Sequence, residues 1–174
     1  MSNSITKLRK KYIPLQAKLK KKIAISTINK LLDTKYVYHF DWMGVPTIQF
    51  PSDLIVLQEI IYKYKPDVVI ETGVAHGGSL LFYTSILKLI KKNFLVIGID
   101  VLIKKYNKKR ILSNKLSKHI KLFEGSSTDI DIFNKVRKLT SKKRTLIILD
   151  SNHSHKHVIN ELNLYSTVLK KGGF

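Results

Sequence analysis

Cysteine is absent from the 174-residue chain. That removes disulfides, thiolate metal sites, iron–sulfur clusters and a cysteine nucleophile together. Acid is scarce: 12 Asp and Glu stand against 32 Lys and Arg, a formal charge of +20. Arginine is scarcer still, with only Arg9, Arg110, Arg137 and Arg144. Planar bidentate readers of phosphate and guanine are usually Arg. The charge therefore reads as lysine-covered surface, with no specific nucleic-acid partner; a basic nucleic-acid-binding domain is the weaker alternative. No apolar run approaches the roughly 20 residues of a membrane span. Met1 to Lys22 is cationic without the continuous apolar stretch of a signal peptide. A reducing, cytoplasmic setting is the expectation. What remains is an ordinary globular composition, 44% hydrophobic, in about one domain's length of chain.

Residues 1–35 read as a basic helical segment. Leu8, Tyr12, Leu15 and Leu19 form one apolar stripe, interrupted at Pro14. Such a helix either packs on the domain or makes peripheral contact with an anionic membrane, and the spacing leaves both readings open. Residues 36–51 are aromatic-rich and irregular, a loop or short hairpin. Pro51, Ser52 and Asp53 open a helix with Ser52 as its cap and Leu54, Leu57, Ile61 and Tyr64 on one face. From there short apolar runs at 68–70, 94–99, 120–123 and 145–149 alternate with helical stretches at 79–92, 104–118, 129–139 and 157–171. The third of these helices turns Ile132, Phe133, Val136 and Leu139 inward, and the fourth Val158, Leu162, Tyr165 and Leu169. Alternation of this kind predicts an α/β domain over 36–174, a parallel sheet flanked by helices. It is truncated after the fourth strand and its helix, since Gly172 and Gly173 should hand over to a fifth strand. Residues 145–149 then form an exposed apolar edge, which predicts self-association into a homo-oligomer.

The scarce acids fall at the strand ends: Glu71, Asp100, Glu124 and Asp150. Strand carboxyl ends form the ligand crevice of an open α/β sheet. The run Glu71-Thr72-Gly73-Val74-Ala75-His76-Gly77-Gly78-Ser79 follows the first strand. Its glycines are spaced wrongly for the dinucleotide fingerprint, and no Lys-Ser/Thr follows as in a P-loop. An acid followed by glycines suits a ligand carrying positive charge, such as the ammonium and sulfonium of S-adenosylmethionine. Glu71, Gly73, Gly77, Gly78 and Ser79 are thus candidate cofactor-binding residues. Asp100 is placed to accept both ribose hydroxyls, and Ser126 and Ser127 to wall the adenine.

These residues resemble the rhamnosyl O-methyltransferase/cephalosporin hydroxylase family. The likeness runs from Trp42-Met43-Gly44-Val45-Pro46 through Gln49-Phe50-Pro51-Ser52-Asp53-Leu54 and the Glu71 motif. It continues through Gly98-Ile99-Asp100 and Glu124-Gly125-Ser126-Ser127 to Asp150-Ser151-Asn152-His153-Ser154-His155-Lys156-His157-Val158, with Glu161-Leu162. The resemblance implies a Rossmann-like class I methyltransferase fold, S-adenosylmethionine and Mg²⁺. It also implies Asp150 as the first magnesium ligand, with the remaining acidic ligands beyond residue 174. The implied acceptor is a small molecule or glycolipid, in lipid or polysaccharide biosynthesis.

His153, His155 and His157 stand together. They read either as a three-imidazole metal site or as a loop-to-helix junction, and spacing alone is weak support for a metal. His153 is the candidate general base, since its ordinary pKa near 6.5 suits a sugar hydroxyl. The expected activity is Mg-assisted O-methyl transfer. The alternative is a truncated, non-catalytic remnant that binds cofactor or a partner.

Overall fold

The computed structural model describes residues 17–170 and 173–174, with side chains from residue 25 onward within them. The chain divides into two compact units, Met1–Val37 and Tyr38–Phe174. The first holds helix α1 (Ala17–Asp33), with Lys30 in its last turn. The expected apolar stripe of Leu8, Tyr12, Leu15 and Leu19 lies outside the side chains described. No helix among the described residues is long and apolar enough to cross a membrane.

The second unit opens with a two-residue hairpin, β1 (Asp41–Trp42) against β2 (Val45–Pro46). Met43 and Gly44, at φ 53° and 77°, make the tight turn, and two left-handed residues are what the twist of a short hairpin favours. Trp42 anchors it, donating Nε1–H to Ser85 Oγ at 3.1 Å and meeting Phe82 edge-on at 4.8 Å. Helix α2 (Pro51–Tyr64) starts two residues earlier than a Ser52 cap would dictate. Its N-cap is Phe50, without a side-chain cap bond. Pro51 carries its fixed φ into the first helical position, where no amide is needed. Ser52 lies inside the first turn and reaches only Asp53.

The core follows as β3 (Val68–Thr72), α3 (Gly78–Ile90), β4 (Leu95–Asp100), α4 (Lys105–Leu112), β5 (Ile120–Glu124), α5 (Ile130–Thr140), β6 (Thr145–Leu149) and α6 (His155–Tyr165). The four strands are all parallel, in the order β5-β4-β3-β6. Every residue of β3 is buried, because both faces of the sheet are covered. On one face Val69, Val96 and Leu146 pack with Ile61, Leu80 and Leu87 of α2 and α3. On the other, Val68, Ile70, Ile97 and Ile99 meet Ile132, Phe133 and Val136 of α5 and Tyr165 of α6. Asp129 caps α5, accepting from the amides of Asp131 at 2.7 Å and Ile132 at 3.1 Å.

Two expectations change. Strand β3 runs through Glu71 to Thr72, so Glu71 sits within the sheet rather than at its end. Helix α6 stops at Tyr165 and turns Glu161 and Tyr165 inward, leaving Leu162 48% exposed. Glu161 faces inward because Ser151 donates to its carboxylate at 2.7 Å, which a leucine could not accept. The outer side of β6 is met at one point: Ile147 N–H donates to the carbonyl of Phe174 at 2.9 Å, and the Phe174 ring stands edge-on to Tyr64.

Candidate functional site

The strand order reverses at β3: β4 and β5 lie to one side and β6 to the other. Connections therefore diverge from the carboxyl ends of β3 and β6, and an open α/β sheet forms its crevice at such a switch point. A cavity of about 500 Å³ lies there, within the range of small-molecule sites.

The loop after β3 forms its floor. Gly73, Ala75 and Gly77 all have positive φ, at 88°, 46° and 87°. Asp100, last residue of β4, staples this loop: Oδ2 accepts from the amides of Val74 at 2.8 Å and Ala75 at 3.0 Å, and Oδ1 from Leu102 at 3.2 Å. A carboxylate has about four acceptor sites, so roughly one is left for a ligand hydroxyl. Asn107, on α4, supports the loop from outside, donating to the Ala75 carbonyl at 2.9 Å and facing His76 Nδ1 at 3.3 Å.

The glycines owe their identity to the protein's own packing. A Cβ on Gly73 would stand 2.0 Å from the Asp150 carbonyl oxygen, one on Gly77 2.2 Å from Ile111 Cδ1, and one on Gly78 2.0 Å from Thr47 Oγ1. All three still line the cavity, as does Ser79.

Glu71 lies beneath the floor, 1% exposed. Ser79 Oγ donates to its Oε2 at 2.7 Å and Tyr83 OH to its Oε1 at 2.8 Å. Burial pushes its pKa up to about 8, against these two hydrogen bonds and with help from Asp150 and Asp100. At neutral pH this carboxyl is mostly protonated. Burial and the neighbouring Glu71 likewise raise Tyr83.

The far wall comes from β5 and β6. Ser127, 4% exposed, lines the cavity. Ser126 turns into its own loop, paired with Thr128 Oγ1 at 2.9 Å. Glu124 ends β5 but is exposed and lies outside the cavity lining. Asp150 lines the cavity just after β6, its amide bound to the Thr72 carbonyl at 2.9 Å. Partial burial raises its pKa, while a hydrogen bond from Gln49 and the charge of His153 oppose the rise.

The three histidines separate. His153 sits at the rim, its side chain 75% exposed, with Nε2 3.5 Å from Asp150 Oδ1. His155 is exposed at the start of α6. His157 lines the cavity, and its Nε2 faces Ser127 Oγ at 3.1 Å, Ser151 Oγ at 3.2 Å and Glu161 Oε1 at 3.4 Å. All three partners share one ring nitrogen. A nucleophile–base–acid relay needs both nitrogens, so this cluster ties two loops together and is not a hydrolytic triad. Among the described residues no group of three or more His, Asp or Glu could hold a metal ion. Asp150 alone does not make a magnesium site, which needs several oxygens.

Reasoning from sequence passed over Gln49 and Glu161 as site residues, and weighed His157 only within a three-imidazole metal site that the structure does not form. The i, i+4 spacing of His157 and Glu161 on one helix was the available signal; Gln49 had none beyond its place in a motif.

A sequence model of the rhamnosyl O-methyltransferase/CmcI family matches residues 34–174. A rhamnosyl O-methyltransferase of Mycobacterium leprae (strain TN) is 31% identical over 135 residues, covering 76% of this chain and 57% of that protein. One from Mycobacterium bovis (strain BCG / Pasteur 1173P2) is 30% identical over 137 residues, covering 76% and 54%. The chain thus spans little more than half the length of these relatives. Among solved structures, CmcI with magnesium and S-adenosylmethionine superposes with TM-score 0.58 at 22% identity, covering 78% of this chain and 55% of that one. A crystal structure from Staphylococcus aureus described as a putative caffeoyl-CoA O-methyltransferase gives TM-score 0.61 at 20% identity, covering 89% and 70%. These structural likenesses establish the fold.

Proposed function

Because the chain belongs to the rhamnosyl O-methyltransferase/CmcI family, we propose that its cavity binds S-adenosylmethionine and serves methyl transfer to a hydroxyl of a sugar or small metabolite. One observation carries this reading. The chain has 32 Lys and Arg, yet among the described residues none lines the cavity, whereas Asp100 and Asp150 both do. Random placement of lysine would not spare this surface, and a cationic ligand is what an acid-lined, lysine-free pocket suits. When bound, the cofactor supplies an electrophilic methyl group on its sulfonium.

The chain's own residues take the remaining roles. Asp100 accepts a ribose hydroxyl while holding the floor loop. Ser127 faces the base. Gly73, Gly77, Gly78 and Ser79 present backbone, and Glu71 supports Ser79 from below. His153, paired with Asp150 at the rim, takes the proton of the acceptor hydroxyl as general base. Held in this way, acceptor and cofactor gain chiefly from orientation. Magnesium is expected from the CmcI structure that contains it. Asp150 would supply one oxygen to such a site.

The names of the mycobacterial relatives support a sugar hydroxyl as substrate class, and a glycolipid that carries such a sugar is the acceptor proposed. A cytoplasmic setting and contact of the cationic N-terminal helix with an anionic membrane belong to the same proposal. The family match does not favour a nucleic-acid-binding domain or a non-catalytic remnant.

Calorimetry with S-adenosylmethionine tests the reading. The expected result is saturable binding that Asp100→Ala weakens roughly tenfold or more, since a hydrogen bond to a charged group contributes about 1.5–3 kcal/mol. Transfer of labelled methyl from the cofactor to a rhamnosyl acceptor tests the chemistry. No binding at millimolar cofactor would overturn the assignment.

A further inference from the structure

Strand β4 ends at Asp100, and the chain then passes the cavity at Val101 on its way into α4. From Val101 to Phe123 it carries eight Lys and Arg and no acid. Roughly one residue in three is cationic there, against 32 in 174 for the whole chain. The start of this segment is firmly seated. The Leu102 amide donates to Asp100 Oδ1 at 3.2 Å. Ile103, Asn107 and Ile111, spaced by four, are turned inward and buried. Asn107 also donates to the Ala75 carbonyl at 2.9 Å.

What this anchoring leaves outside is unusual. Val101 is 70% exposed, Leu102 60% and Tyr106 55%. Val101 also lines the cavity, so the apolar group begins at the cavity mouth. Five exposed cations adjoin it: Lys104, Lys105, Lys108, Lys109 and Arg110. Lys104 Nζ lies 5.9 Å from the centre of the Tyr106 ring. Among the described residues none of the five enters an ion pair. Lys104 and Lys108, and Lys105 and Lys109, stand four apart, a spacing at which like charges repel. The surface therefore combines apolar side chains held in water with unrelieved positive charge. Both are relieved by a partner that is anionic outside and apolar beneath.

We propose that the surface from Val101 to Leu112 docks on an anionic lipid bilayer. Val101 and Leu102 enter the headgroup region, and the cations of α4 lie among the lipid phosphates. Four of the five cations are Lys. A lysine acts as a mobile point charge, which suits a fluid headgroup layer; planar readers of bases and phosphates are usually Arg. Adjacent exposed aliphatic side chains likewise suit a bilayer and not a nucleic-acid backbone. Docking does not depend on which molecule the cavity binds. Its consequence rests on the proposed function: the cavity mouth lies beside the bilayer, and a lipid-borne hydroxyl acceptor reaches it without leaving the membrane.

The test is co-sedimentation of the full chain with vesicles of phosphatidylcholine alone and of an equal mixture of phosphatidylcholine and phosphatidylglycerol. Binding should require the anionic lipid and fall with added salt. Leu102→Ser should weaken it roughly tenfold. Ile55→Ser, at a comparably exposed position on α2, should leave it unchanged. The double variant Lys108→Glu/Lys109→Glu should weaken it roughly twentyfold or more, since each basic residue near an anionic surface contributes about fivefold. The chain has no cysteine, so a polarity-sensitive dye on Leu102→Cys reports from one point, and its emission should shift to the blue on anionic vesicles. Absence of parent binding, equal losses in Leu102→Ser and Ile55→Ser, or an unshifted dye overturns the proposal. Full binding by the double variant also overturns it and assigns membrane contact to the N-terminal helix. Losses seen with a DNA duplex and not with vesicles overturn it in favour of a nucleic-acid surface. Cofactor binding is read separately by calorimetry, so the two readings fail independently.

Discussion

Glu71 should make the stability of this protein fall as pH rises, and Glu71→Gln should remove that fall. Its carboxyl lies 1% exposed within β3, and burial lifts its pKa from 4.5 to about 8. The native state therefore holds a proton that the unfolded chain has already lost. A group with a raised folded pKa contributes fully below the unfolded pKa, and the contribution disappears as pH climbs through the folded one. The window is pH 4.5 to 8. At 1.36 kcal/mol per unit, the portion between pH 5.5 and 8.5 comes to roughly 3 kcal/mol. That is a large share of the 5–15 kcal/mol typical of a domain. Gln keeps the shape of Glu71, and the hydroxyls of Ser79 and Tyr83 can reorient to suit an amide. Urea unfolding followed by the fluorescence of Trp42, the chain's single tryptophan, gives stabilities at pH 5.5, 7 and 8.5. The difference between Glu71→Gln and the parent should shift toward the variant by roughly 3 kcal/mol across this range. Parallel curves within about 0.5 kcal/mol, or a parent that gains on the variant as pH rises, would refute the reasoning.

Gly73→Ala should cost about 3 kcal/mol or more in urea midpoint measurements, because the added methyl meets the Asp150 carbonyl oxygen at 2.0 Å and φ is 88°; a cost below about 1 kcal/mol would show that β3 and β6 separate freely at this point. Asp129→Ala should destabilise by about 1 kcal/mol through loss of the α5 cap, while Ser52→Ala should cost less than about 0.5 kcal/mol because Ser52 caps nothing. Equal effects at the two positions would contradict the assigned caps.

The sheet, its parallel character and the order of its helices were legible in the chain because each depends on local periodicity. Val68 to Ile70 and Leu146 to Leu149 are continuously apolar, and such runs survive only where both faces are covered. Gly73 and Gly77 were legible as candidate binding positions, since a glycine-rich turn directly after a buried strand lets backbone approach a ligand. Their reason was not legible: the atoms they make room for, in Asp150 and Ile111, lie far along the chain. Ser52 misled because capping preference is a local rule that Pro51 overrode from the neighbouring position. Leu162 misled because helical spacing cannot weigh an apolar side chain against Glu161, whose hydrogen-bond partner Ser151 belongs to another element.

By itself the sequence determined a parallel α/β sheet flanked by helices, an acid at Asp100 and Asp150 beside the glycine-rich turn, and a resemblance to one family that implied the methyltransferase fold. Those features are written in residue type and spacing. Only the tertiary structure decided that Glu71 is a buried, protonated support, that Asp100 spends most of its acceptors on backbone amides, and that His157 is tied to Ser127, Ser151 and Glu161. It also brought Gln49 against Tyr83, 34 positions away in the chain. Protonation and hydrogen-bond satisfaction depend on what surrounds a group in space. A side chain's partners across such distances are chosen by the packing of the whole domain.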